Sequence, residues 1–252
     1  MSNFTKFNSV HMNSITKVGG ASVNNLSDIG DIRMGESDDP PVGDQYTKLL
    51  LHMDGNDDGT VFSDSSSQNH TISAEGGSIV TKTGVNEKKF GTAGCYATGG
   101  WLEVEASDDW AFGTDDFTID FWARPMDASG QKCLISNKSP KDPSTWELLI
   151  YGTSFGIGIY PGFEFYSSSD IVNGNWYHVA YVKSGNTITI YENGISKASD
   201  TYTGSIGLNQ IITVGSRNGI TNYSGYIDEV RISKGIARWT ENFDVPTEAY
   251  TG

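Results

Sequence analysis

From Tyr46 to the C-terminal end, short apolar runs recur at the spacing of a β sandwich, bounded by Gly, Asn, Asp, Ser or Pro. Nothing alternates strand with helix, so a parallel α/β fold is excluded. The runs read as strands are KLLLHM (48–53), WLEVEA (101–106), FTIDFWARP (117–125), KCLISN (132–137) and WELLIYG (146–152). FGIGIY (155–160), NWYHVAYVK (175–183), TITIYENGISKA (187–198), IITVGS (211–216) and YIDEVRIS (226–233) continue the series. Asn193-Gly194 supplies the two positive-φ positions of a tight hairpin. Only SKGIARWTENF (233–243) suggests a helical turn. With 30 glycines, 12% aromatic and only 19% charged residues, the composition suits short strands and tight turns rather than helices. The expected fold class is all-β, an antiparallel two-sheet sandwich.

One strand poses a question. In GYIDEVRISKGIARW (225–239), simple alternation puts Tyr226, Asp228, Val230 and Ile232 on one face and Ile227, Glu229 and Arg231 on the other. A carboxylate on an apolar face must be paired, hydrogen-bonded or metal-bound, or its pKa rises until it is neutral. The parity of the strand offers Asp228 no basic partner, since Arg231 points the other way.

The balance of 31 acidic against 17 basic residues leaves a net charge of −14, which repels phosphate backbones and disfavours nucleic acid as a partner. Cys95 and Cys133 stand far apart, with no metal-like spacing; they read as two buried thiols, or as a single disulfide. The first thirty residues hold no continuous apolar core, so a Sec-type signal is not expected, and no run approaches a membrane span. The expectation is a chain made in a cytosol, with no membrane insertion.

Residues 1–45 differ from the rest: they lack Trp and Tyr, and they repeat. FNSVHMNSITK (7–17) aligns with VGGASVNNLSD (18–28), and IGDI (29–32) begins a third unit. Phe7, Val18 and Ile29 correspond, as do Val10, Ala21 and Ile32, Met12 and Val23, and Ile15 and Leu26. Gly19, Gly20 and Gly30, with scattered Ser and Asn, oppose a helix, so short extended segments are expected. So few units cannot bury their own apolar positions. Phe7, Val10, Met12, Ile15, Val18, Val23, Leu26, Ile29 and Ile32 are therefore expected to anchor the arm on a partner. ESDDPPVGDQ (36–45) reads as a linker, giving an arm over 1–45 and a sandwich over 46–252.

LLLHMDG, FSDSSSQNHT, FGTAGCYATGGWLEVEASDDWAFGTDDFTIDFWARP, GNWYHVAYVKSGNTITIYENGI and GYIDEVRISKGIARWTENFDVPTEAY follow one another across residues 46–252. In this order they resemble the laminin-G-like branch of the concanavalin A-like jelly rolls. The wording of DWAFGTDDFTIDFW and IDEVRISKGIARWT is similar to domains on bacteriophage tail and capsid-surface proteins. The resemblance implies two packed antiparallel sheets that bind carbohydrate, lipid or protein through one rim or the concave sheet. It also implies a structural calcium at Asp228, with Asp54 of HMDGNDDG opposite it and Asp64 of SDSSSQNH as a third ligand. The alternative is that Asp228 accepts backbone N–H bonds from a loop while Asp54 and Asp64 cap turns.

Retaining hydrolases on this fold place three carboxylates on alternate positions of one strand. Glu103 and Glu105 share a face, but Ser107 stands where the third is needed, and the histidines (11, 52, 70, 178) form no HxH or HExxH pattern. No catalytic set is expected. For binding, Thr118, Asp120, Trp122 and Arg124 share a face of FTIDFWARP, a Trp among polar groups as a sugar platform needs. A second aromatic set is Trp146, Tyr151, Tyr160, Phe163, Phe165 and Tyr166. The expected function is a non-enzymatic structural protein of a phage particle, tail-associated or capsid-decorating. Its arm would be fixed to other virion proteins, and its jelly roll would face host-surface polysaccharide as one of many identical copies. The alternative is a cellular carbohydrate-binding module of a secreted glycan-processing or adhesion protein.

Overall fold

The computed structural model describes residues 17–18, 21–22, 45–137, 142–217 and 219–250. The chain divides into two units, Met1–Asp39 and Pro40–Gly252. In the first, β1 (Lys17–Val18) pairs antiparallel with β2 (Ala21–Ser22). Val18 lies in β1, whereas Phe7, Val10, Met12, Ile15, Val23, Leu26, Ile29 and Ile32 fall outside the described residues.

In the second unit the strands are β3 (Thr47–Leu51), β4 (Ile72–Lys82), β5 (Gly94–Ser107), β6 (Phe117–Pro125) and β7 (Gln131–Asn137). Next come β8 (Trp146–Tyr151), β9 (Ser154–Ile159), β10 (Phe163–Tyr166), β11 (Tyr177–Ser184) and β12 (Thr187–Glu192). The last are β13 (Ile195–Thr201), β14 (Gln210–Val214), β15 (Ser216–Arg217), β16 (Thr221–Asn222) and β17 (Ser224–Lys234). They form a sandwich. One sheet runs β10-β9-β8-β7-β14-β5, with β4 on the far edge of β5. The other runs β17-β6-β11-β12-β13, with β3 and the first part of β5 along the free side of β17.

Alternation decides which side chains meet between the sheets. Ile119 and Phe121 of β6, Val179 and Tyr181 of β11, and Ile188 and Ile190 of β12 face Leu102 and Val104 of β5, Leu148 and Ile150 of β8, and Phe155 and Ile157 of β9. All are almost completely buried, so truncating one such Phe to Ala costs about 3–5 kcal/mol. The β12–β13 hairpin turns at Asn193 and Gly194, both with positive φ, as their sequence requires. Cys95 and Cys133 are free, buried thiols, and burial pushes both pKa values up.

Two expectations fail here. First, β17 does not alternate evenly. Glu229 sits at φ 49°, and the register on β6 jumps from Asp228↔Trp122 to Arg231↔Asp120. This β-bulge inserts an extra residue, so Ile227, Val230 and Ile232 all reach the core while Asp228 and Arg231 face outward together. Asp228 therefore does not share the face of Val230 and Ile232, and Arg231 is on its side of the strand. Second, the segment after β17 forms no helical turn. Residues 235–250 run as bends and extended backbone across the outer face of the second sheet. Trp239 stacks on Phe243 with centroids 3.9 Å apart, and with Ala180, Val182 and Tyr191 they make a small second core.

The strap is held by buried charge. Arg231 Nε and Nη2 donate to the two oxygens of Asp120 at 3.0 and 3.1 Å. The Tyr250 hydroxyl donates to Asp120 Oδ2 and lies 3.3 Å from His178 Nε2, and its ring covers the Arg231 guanidinium at 3.8 Å. The Tyr250 amide donates to Glu229, whose carboxylate also meets His52 Nδ1 at 3.0 Å. Burial pushes the Asp120 carboxyl up, but Arg231 and His178 outweigh it and hold the group well below the usual carboxylate range.

Candidate functional site

Among the described residues, the outer face of the first sheet carries no such strap. Here the alternation that buries Trp146, Leu148 and Ile150 turns Glu147 and Tyr151 outward from β8. On β9 the outward positions are Gly156 and Gly158, and on β10 they are Glu164 and Tyr166. The register sets Glu147 opposite Gly158, and Gly158 opposite Glu164. Two carboxylates thus flank a glycine, two strand spacings or about 9.5 Å apart along the backbone. The glycines make room: a Cβ on Gly156 would lie 2.3 Å from the Tyr166 ring, and one on Gly158 would lie 3.3 Å from Glu147 Cγ. The Tyr166 and Glu147 side chains fill the trough that the two glycines leave, burying both.

At the end of the trough a cleft of about 320 Å³ opens, lined by Ser136, Asn137, Thr145, Trp146, Glu147, Gly158, Ile159, Tyr160, Gly162, Phe163, Glu164 and Arg217. Arg217 reaches it from the β15–β16 hairpin. Its Nη1 lies 2.9 Å from both Glu147 oxygens, and its Nη2 donates to Thr221 Oγ1 at 3.1 Å. Burial raises the Glu147 pKa, partly offset by Arg217. Glu164 accepts from the Tyr166 hydroxyl at 3.2 Å. Tyr160 is 44% exposed, while Trp146 is 2% exposed and its indole Nε1 has no hydrogen-bond partner among the described residues. The Trp146 ring packs into the core against Phe112, on the opposite side of the sheet from Glu147. The site thus offers an exposed tyrosine ring and carboxylate acceptors, groups that hold polyhydroxylated rings.

Of the sequence-derived ligand residues, Trp146, Tyr160 and Phe163 line this cleft. Tyr151 (58% exposed) and Tyr166 stand beside it on the same face, their centroids 5.5 Å apart. Trp122 and Asp120 do not belong to it. Asp120 is fully buried in the ion pair described above, and Trp122 is 3% exposed beneath Lys89, whose Nζ lies 3.8 Å over the ring. Their face is the one the C-terminal strap and the 86–93 loop cover, so they form no open platform. Glu147, Glu164 and Arg217 were not foreseen as site residues. The alternate glycines of FGIGIY, set beside outward Glu147 and Glu164, are the signal that points to them.

The three carboxylates considered for calcium hold turns. Asp228 accepts from the Lys89, Phe90 and Glu229 amides at 2.6, 3.1 and 3.0 Å. Burial outweighs these bonds and pushes its pKa up to about 8. Asp64 accepts from the Leu50, Ser66 and His70 amides and the Ser66 hydroxyl, and Asp54 accepts from Thr92 and Ala93. Among the described residues, no three His, Cys, Asp or Glu side chains are placed to hold a metal ion. Glu103 accepts from Trp101 Nε1, and Glu105 from the Thr71 amide.

Residues 97–241 match the profile described as "Concanavalin A-like lectin/glucanases superfamily". A comparison with curated proteins gives no match. Among solved structures, the chain is similar to the binding domain of Paraclostridial Mosquitocidal Protein 1 (TM-score 0.60, 16% identity, covering 77% of this chain and 50% of that one). It is also similar to domain 4 of AbnA, a GH43 extracellular arabinanase from Geobacillus stearothermophilus, in complex with arabinotriose (TM-score 0.56, 20% identity, 77% and 95%). The binding domain of botulinum neurotoxin DC in complex with SialylT is a third (TM-score 0.58, 16% identity, 77% and 49%). The chain thus spans about half the length of the two toxin domains. At these identities the likeness is one of fold.

Proposed function

The chain belongs to the Concanavalin A-like lectin/glucanases superfamily, and from that premise we propose that it is a non-catalytic glycan-binding protein whose site is the cleft between β7 and β10. The observation that carries this reading is the cleft itself. It joins the exposed Tyr160 ring to the Glu147 and Glu164 carboxylates on the sheet face that the C-terminal strap does not cover. The neighbours support it, since the arabinanase domain is bound to arabinotriose and a toxin domain to SialylT. The family profile and the likeness to a toxin binding domain support the non-catalytic part.

We place this protein on a phage particle. The support is the resemblance of residues 109–122 and 227–240 to tail and capsid-surface domains, and the apolar repeat within residues 1–45. The arm fastens each copy to other virion proteins, the jelly roll faces host polysaccharide, and many copies turn weak sugar binding into adhesion. The likeness to an arabinanase domain over 95% of that domain favours a second reading, a module of a glycan-processing protein. Both use the same cleft.

Binding of the full chain to immobilised oligosaccharides, with Tyr160→Ala and Phe163→Ala beside it, tests the site. Binding lost in both variants is expected, and a flat signal at every sugar overturns the reading. Removing residues 1–45 is expected to abolish incorporation into particles. Assembly of the shortened chain would overturn the anchoring role.

A further inference from the structure

The charges in the cleft say more about the ligand than that it is a sugar. Three ionisable side chains with formal charge line it: Glu147, Glu164 and Arg217. Arg217 is matched by Glu147, with Nη1 2.9 Å from each carboxylate oxygen, and its Nη2 is turned to Thr221. Glu164, across Gly158, accepts only the neutral Tyr166 hydroxyl in the bonds seen here, so the lining keeps one uncompensated negative charge. The wider field has the same sign, with a net charge of −14 over the chain. A sugar carboxylate entering here would meet a like charge in a partly desolvated space, with the one guanidinium already paired. A sugar hydroxyl meets the opposite situation, because the exposed Glu164 carboxylate accepts a hydrogen bond from it.

We propose that the cleft selects uncharged glycans and rejects sialylated and uronic ones, with Glu164 as the residue that discriminates. The proposal rests on the cleft being the sugar site. It sets this chain apart from the neurotoxin domain bound to SialylT and beside the arabinanase domain bound to arabinotriose.

The test uses the full chain and matched pairs on an array: lactose with sialyllactose, galactotriose with trigalacturonate, and cellotriose with its C6-oxidised form. The acidic member of each bound pair is expected to bind at least about tenfold more weakly at low salt, with the gap narrowing as salt screens it. Glu164→Gln, a substitution at an exposed position, is expected to narrow the gap several-fold while leaving the fold intact. Acidic sugars binding as tightly as their neutral partners, with binding still lost in Tyr160→Ala, would overturn the selectivity and leave the site standing. A gap unchanged by Glu164→Gln would likewise overturn it. No binding of either class overturns both the selectivity and the glycan-binding reading.

Discussion

Tyr250→Phe removes one oxygen from the centre of the strap. In the wild type that hydroxyl donates to Asp120 Oδ2 beside His178 Nε2, at a residue only 5% exposed. The variant keeps the ring over Arg231 and the amide bond to Glu229, so only the hydroxyl's contribution changes. A hydrogen bond to a charged, desolvated group contributes about 1.5–3 kcal/mol, and removing it leaves a buried acceptor lone pair without its donor. For a domain of this size each kcal/mol moves the melting midpoint by about 2–4 °C, so a fall of about 3–12 °C is expected. Circular dichroism melts of the full chain at neutral pH, backed by urea midpoints with unchanged m, read it out. Asp120 is ionised throughout that range, because its depressed pKa makes its stabilisation present above the ordinary carboxylate value and lost only as pH falls below it. A midpoint within about 1 °C of wild type would show that the buried network does not hold the strap, and the reasoning about the second sheet would fail.

Gly156→Ala places a Cβ 2.3 Å from the Tyr166 ring and is expected to cost about 1–3 kcal/mol, whereas Gly158→Ala, 3.3 Å from a flexible Glu147 carbon, should cost less; equal urea midpoints would contradict the trough geometry. Asp228 has its pKa raised from 3.8 to about 8, so the stability tied to its protonated form is complete below about pH 4 and lost as pH rises through 8. Asp228→Asn, which never ionises, should therefore gain on the wild type in melts across that window, and a pH-independent difference would contradict the burial argument. A chelator is expected to leave the melting midpoint unchanged, since Asp54, Asp64 and Asp228 spend their oxygens on backbone donors; a drop of several degrees would return them to a metal.

What the sequence made legible was local. FTIDFWARP became β6 with the same ends, because one uninterrupted alternation of Phe117, Ile119 and Phe121 can only face a core. Asn193-Gly194 turned where its backbone preference requires. What stayed hidden depended on distant partners. The bulge at Glu229 follows from pairing Arg231 with Asp120, 111 residues away, and a parity count along β17 alone cannot register it. Trp122 looked like an open platform because nothing near it in sequence announces Lys89 and Phe90 as its cover. β4 was missed because Gly76 and Gly77 break its pattern, although both let Trp101 and the β5 backbone approach. Half of the candidate site was readable as an aromatic collection around YPGFEFY. The carboxylate row was not, since Glu147, Gly158 and Glu164 meet only through register.

The central claim is that the cleft between β7 and β10 holds an uncharged sugar. Titrating the isotope-labelled full chain with a neutral oligosaccharide that it binds, while following the Gly158, Gly162 and Arg217 amides, tests it most directly. Saturable shifts centred on those groups, with the signals of Asp120 and Trp122 under the strap unmoved, are the expected result. Shifts that cluster elsewhere, or leave the Gly158 and Gly162 amides still, would contradict it.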